Sequence, residues 1–161
     1  MRPSTSIPLP ARAVTPRRIV LDTNVVLDWL LFDDRRCRAL ADAITSRRVE
    51  WIASRSMHEE LEHVLARGIA SAKARDPSGV RSGWLRWATI VGPGDQPSLR
   101  GMRCSDESDQ KFIDLALQVG AGALVSRDRA VLKLARRAAL LGLSIVSVER
   151  WHDRVSDSSA G

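Results

Sequence analysis

The sequence predicts a three-layer α/β domain around a parallel sheet. Two observations carry this. Five short apolar runs, at Ile19–Leu21, Val49–Ala53, Ala88–Val91, Gly122–Ser126 and Ser144–Val148, alternate with longer stretches whose apolar residues recur at helical spacing. Strands that alternate with helices imply right-handed βαβ crossovers, and a parallel sheet so built is covered on both faces. A length of 161 residues suits one domain with a real core. The periodicity leaves the strand order open.

The first strand is a partly β-branched run that ends at Asp22. Thr23 or Asn24 then caps a helix that reaches about Phe32, with Val25, Val26 and Trp29 as its first apolar positions. A polar corner at Asp33–Arg36 leads to a second helix, Cys37–Ser46, and the second strand follows at Val49–Ala53. Ser54 or Ser56 caps a third helix that runs to Ala66 and stops near Gly68. Asp76-Pro77 starts a fourth helix carrying Val80, Trp84 and Trp87, although Gly79 and Gly83 weaken it. The third strand, Ala88–Val91, is broken by Gly92-Pro93-Gly94, and an irregular loop continues to Cys104. Ser105 or Asp106 begins a helix through Val119. A long basic helix, Arg129–Leu141, separates the last two strands and ends at Gly142.

Composition narrows the function classes. No apolar run is long enough to span a bilayer. Residues 1–17 read as a disordered Pro/Arg tail without a secretory h-region, residues 18–150 as the folded domain and residues 151–161 as a frayed C-terminal tail. Cys37 and Cys104 lack metal-ligand spacing and suit reduced thiols, so a cytoplasmic location is expected. The net charge of +6 is concentrated in the tail, because four arginines precede the first acid. From Ile19 onward the excess is only +2.

The acidic residues are more informative. Asp22 and Asp128 each follow a strand, at the sheet edge where open parallel α/β folds bind ligands. Helical angles sort the other candidates. In the third helix Glu60 lies at ~300°, bordering an apolar face centred near ~25°, whereas Glu59 points away near ~200°. In the helix after Ser105, Asp109 falls near ~60°, inside the apolar stripe of Phe112, Leu115 and Ala116, while Asp106 falls near ~120°. An ionised carboxylate on a buried face is costly unless it is paired or binds a cation. Four acids converging on one edge, with no His or Cys among them, point to a hard ion, Mg²⁺ or Mn²⁺.

These residues resemble the motifs of the PIN-domain family, in particular VapC-like toxins of toxin–antitoxin pairs. Leu21-Asp22-Thr23-Asn24 resembles the first motif and Ser54…Glu60-Leu61…Val64-Leu65 the second. Asp106-Glu-Ser-Asp109-Gln-Lys-Phe112 resembles the third, and Ser126-Arg127-Asp128 the fourth. The resemblance covers Arg18 to Arg150 and implies a five-stranded α/β/α fold and a Mg²⁺- or Mn²⁺-dependent ribonuclease. It also implies an RNA substrate, a cognate antitoxin partner and a homodimer. Arg127 departs from the family, which often has a small residue there. Asp22, Glu60, Asp109 and Asp128 are then the expected catalytic and metal-binding residues. Thr23, Asn24 and Ser126 are expected to orient ligands or waters, and Arg127 and Arg129 to contact RNA phosphates. Two other classes fit the same acidic edge. One is a non-catalytic RNA-binding or regulatory module. The other is a phosphotransfer domain with Asp22 as nucleophile, which lacks a second acid at position 24.

Overall fold

The structure, a computed structural model, describes residues 17–68, 76–92 and 102–152. The N-terminal tail up to residue 16, most of the loop before Cys104 and the C-terminal tail beyond His152 lie outside the described residues.

Five strands form one sheet: β1 (Arg17–Leu21), β2 (Val49–Ala53), β3 (Ala88–Ile90), β4 (Ala123–Val125) and β5 (Ser144–Val146). All neighbours are parallel, in the order β3-β2-β1-β4-β5. The central strand is β1, where Ile19 is in register with Trp51 on one side and Ala123 on the other. The chain steps outward from β1 to β3, then returns to the far side of β1 for β4 and β5. This reversal opens a crevice outside the carboxyl ends of β1 and β4. Arg17, which the sequence assigns to the tail, already belongs to β1.

Among the described residues seven α-helices cover the sheet: α1 (Thr23–Leu30), α2 (Arg38–Thr45), α3 (Arg55–Ala66), α4 (Pro77–Trp87), α5 (Gln110–Gln118), α6 (Arg129–Leu132) and α7 (Ala135–Leu140). The chain is a three-layer α/β/α fold, with α2 packed on β2, α5 on β1 and β4, and α7 on β5. Ile19, Val20 and Leu21 are consecutive and all buried, as a strand covered on both faces requires. The largest buried side chain, Trp51, sits between the rings of Trp29 and Trp84, 5.7 and 4.8 Å away.

Local chemistry explains most boundaries. Asp76 caps α4 through the Ser78 N–H, and Pro77 occupies the first turn, where its missing donor costs nothing. Gly83 does not interrupt α4: a Cβ there would come within 2.8 Å of the end of the Leu30 side chain, which would have to shift, so glycine suits the contact of α4 with α1. Gly142 follows α7 with φ +80°, a conformation that favours glycine.

Four expectations are corrected. The residue that caps α1 is Asp22 itself, not Thr23 or Asn24. The single helix expected over Arg129–Leu141 is two, because the Leu134 N–H bonds to the Val131 carbonyl three residues back and tightens the chain there. No glycine or proline marks that break. The helix expected from Ser105 begins as a 3₁₀ turn, Glu107–Asp109, and becomes α-helical only at Gln110. Trp151, placed at the start of the frayed tail, is buried in the core. Among the described residues no helix is long and apolar enough to cross a membrane.

Trp51→Ala is expected to cost about 3–5 kcal/mol, because it removes the ring on which two others pack. Urea unfolding should show a lower midpoint with an unchanged slope. Trp51→Phe should cost less, since it keeps an aromatic ring and removes an indole N–H that is buried without a hydrogen-bond partner.

Candidate metal centre

The crevice is held closed at its base by Asp22, which is only 3% exposed. Its Oδ1 accepts from the Val25 N–H at 2.8 Å and so caps α1. Its Oδ2 accepts from the Ser126 hydroxyl and from the Arg127 N–H at 3.3 Å. Its own N–H donates to the Val125 carbonyl at 3.1 Å, which prolongs the β1–β4 pairing. Ser126, fully buried, in turn accepts from the Asp128 N–H at 3.1 Å. Asp128 caps α6 through Ala130 at 2.8 Å. One carboxylate therefore joins β1, α1 and the turn that presents Asp128. Burial pushes the Asp22 carboxyl up, against the hydrogen bonds from Ser126, Val25 and Arg127 and the charge of Arg127.

Across the crevice stands the 3₁₀ turn before α5. Asp106 is the extended cap of this turn, and its carbonyl accepts from the Asp109 N–H at 3.2 Å, which draws the two residues together. Asp106, Asp109 and Asp128 each offer a carboxylate oxygen, and these oxygens lie within 4.8 Å of one another. Asp106 also caps its turn, accepting from the Ser108 N–H at 3.0 Å and the Ser108 hydroxyl at 2.6 Å. Asp109 Oδ2 is buried and has no hydrogen-bond partner. Burial first, and then the like charges of Asp128, Asp106 and Asp22, push the Asp109 carboxyl up to about 7. Gln110 secures the approach to this turn: its Oε1 accepts from the Cys104 N–H at 2.6 Å, and its Nε2 donates to the Met102 carbonyl at 2.8 Å.

Glu60 faces the same region from α3, half-buried, while Glu59 is exposed, as the helical angles require. Glu60 does not join the group of three. Its Oε1 accepts from Lys111 Nζ at 2.9 Å and its Oε2 from the Thr23 hydroxyl. Asn24 lies exposed on α1. The Arg127 guanidinium pairs with Asp28 at 3.1 Å, so this arginine is tied to α1, and Arg129 is exposed at the start of α6.

Of the four acids expected to hold metal, Asp109 and Asp128 converge. Asp22 stands behind them with both oxygens hydrogen-bonded, and Glu60 stands to one side with both oxygens engaged. Asp106, at ~120° on an uninterrupted α-helix, is the acid that sequence reasoning left out. Its spacing of three from Asp109 was the available signal, since residues three apart are neighbours on a helix. Lys111, which reaches Glu60, was missed as well, and no pattern marks it.

The three converging donors are all carboxylate oxygens, which suits a hard divalent ion of the Mg²⁺ or Mn²⁺ kind. The orphaned Asp109 oxygen fits the same ion, because a buried carboxylate oxygen without a donor is costly and a cation would satisfy it.

A family model described as a PIN domain matches residues 18–130. No curated protein matches the sequence. Among solved structures, a chain of the VapBC2 complex from Rickettsia felis, bound to a DNA fragment from their promoter, is similar with a TM-score of 0.52 at 13% identity. The match covers 81% of this chain and 98% of that one, and shows a common fold.

The raised carboxyl predicts a pH response. Folded Asp109 keeps its proton to about pH 7, whereas the unfolded residue loses it near 3.8. The folded state thus binds more protons between these values, and stability falls as pH rises through them. Asp22 and Asp28 are also raised and act in the same direction. Asp34, Asp76, Asp106 and Glu149 are lowered, so their contribution is lost only in stronger acid. In EDTA the melting temperature should decline from about pH 4 to pH 7, and Asp109→Asn should flatten the decline. Parallel curves for the two proteins would show that Asp109 is not the group responsible.

Proposed function

Because the chain belongs to the PIN-domain family, we propose that it is a metal-dependent ribonuclease that hydrolyses RNA phosphodiester bonds. The observation that carries this reading is the buried, unpartnered oxygen of Asp109 set among Asp106 and Asp128. These three carboxylates would hold Mg²⁺ or Mn²⁺. When bound, such an ion lowers the pKa of water and neutralises charge that develops on a phosphate.

The remaining residues position the site. Asp22 fixes Ser126, and Ser126 fixes the turn that presents Asp128. Thr23 steadies Glu60. The Arg127–Asp28 pair anchors the same turn to α1. Arg129, exposed beside Asp128, would contact an RNA phosphate, a contact suited to a guanidinium. Asn24, exposed next to Thr23, would orient a ligand or water by a hydrogen bond. Hydrolysis breaks one P–O ester bond and forms one between phosphorus and the oxygen of water.

On the same premise the protein is the toxin of a toxin–antitoxin pair, restrained by a cognate antitoxin and active in the cytoplasm as a homodimer. Support comes from the motifs named above and from the likeness in fold to a chain of a VapBC2 complex.

Purified protein should cleave a generic RNA with Mn²⁺ or Mg²⁺ and stop in EDTA. Mn²⁺ at 100 times its dissociation constant should stabilise the wild type by about 2.7 kcal/mol. Asp109→Asn should lose most of that gain and cleave slower by orders of magnitude, whereas Glu59→Gln should behave as wild type. An Asp109→Asn variant that binds Mn²⁺ and cleaves RNA normally would refute the reading.

A further inference from the structure

We propose that Lys111 is a catalytic residue that contacts a phosphate oxygen of the RNA, and that Glu60 is the positioning residue that holds it. This rests on the nuclease reading, and it assigns Glu60 a role other than metal ligand.

Lys111 is the second residue of α5. A cation is electrostatically misplaced there, because the first turn of a helix favours anions. Helix stability therefore does not account for the residue. Its side chain instead turns back towards the crevice, where it is anchored twice. Nζ donates to Glu60 Oε1 at 2.9 Å and to the Ser108 carbonyl at 2.7 Å. Ser108 lies between Asp106 and Asp109, so the ammonium sits at the lip of the acidic group. The two side chains of the pair are 23% and 28% exposed, which leaves them open to a ligand. An ammonium has three donors, and these two contacts use two of them.

Glu60 is built to hold this cation. Its second oxygen accepts from Thr23, at the start of α1, which fixes the carboxylate between α1 and α5. Both oxygens thus face protein donors. The oxygens that converge for a cation come from Asp106, Asp109 and Asp128.

Charge gives the arrangement its purpose. Asp22, Glu60, Asp106, Asp109 and Asp128 make this edge strongly negative, and an RNA phosphate is also an anion. One divalent ion does not balance five carboxylates. Arg127 is committed to Asp28. A fixed ammonium beside the acids lowers the repulsion and, being preorganised, stabilises charge that grows on the phosphate. Lys111 forms no covalent bond in this role.

The test compares Glu60→Gln, Lys111→Met and the double variant in the full chain. Mn²⁺ affinity is measured by titration calorimetry and RNA cleavage at saturating Mn²⁺, with melting curves to confirm folding. Both single variants should cleave at least tenfold more slowly. Their Mn²⁺ affinity should change by less than about fivefold, or tighten for Lys111→Met, below the loss expected when a metal shell is damaged. The double variant should be no slower than the worse single one, because the two residues act as a unit. Lys111→Arg should recover part of the rate. A fivefold or greater loss of Mn²⁺ affinity in Glu60→Gln would make Glu60 a ligand and overturn the assignment, with the nuclease reading intact. Wild-type cleavage by Lys111→Met would overturn it equally. A wild-type protein that neither binds Mn²⁺ nor cleaves RNA would remove both readings.

Discussion

The structure of the crevice depends on one buried carboxylate. Asp22 ends the central strand at the point where the strand order reverses, and a polar group taken out of water there must find partners. It finds three kinds: the N–H of Val25 in α1, the hydroxyl of Ser126 and the N–H of Arg127 after β4. Each partner belongs to an element that borders the crevice. A charge-assisted hydrogen bond contributes more than a neutral one, and two of these three are to backbone N–H groups. The carboxylate that could be dismissed as a helix cap is thus a cap through Oδ1 and, through Oδ2, the joint between two strands.

That joint has an electrostatic consequence. With Asp22 fixed at the base, Asp128 comes forward on the β4–α6 turn, and the 3₁₀ turn before α5 brings Asp106 and Asp109 against it. The protein answers this repulsion in several ways. Asp109 is pushed towards its neutral form. Lys111 balances Glu60, and Arg127 balances Asp28. Asp106 is relieved by Ser108, whose hydrogen bonds hold its carboxyl low. What is left unbalanced is the cluster centred on Asp109, where a divalent ion would favour the charged form of that carboxyl.

The fold was legible because its strands and helices follow simple periods. β2 falls where the apolar run placed it, and Asp76-Pro77 marked α4 despite two glycines. Gly83 weakened that reading, and the Leu30 side chain packed beside it is a tertiary contact that the local pattern does not carry. The break between α6 and α7 was invisible for a related reason, since no residue there opposes a helix. The site was legible in part. Helical angles separated Glu60 from Glu59 and turned Asp109 inward. They could not predict the 3₁₀ geometry that adds Asp106, nor the reach of Lys111 across to α3, because both depend on how α5 is docked. Arg127 read in sequence as a contact for an RNA phosphate, and its ion pair with Asp28 was not visible there, since Asp28 lies nearly a hundred residues away in the chain.

The central claim is that the Asp22–Ser126 contact shapes the turn that carries Asp128, and that the metal centre depends on it. The most direct measurement is Mn²⁺ affinity of Ser126→Ala by titration calorimetry. Ser126 is fully buried, so the loss of its hydroxyl acts on the turn. The account predicts a folded variant that binds Mn²⁺ about 10–100 times more weakly, the range for groups that orient metal ligands. Affinity equal to that of the wild type would contradict it.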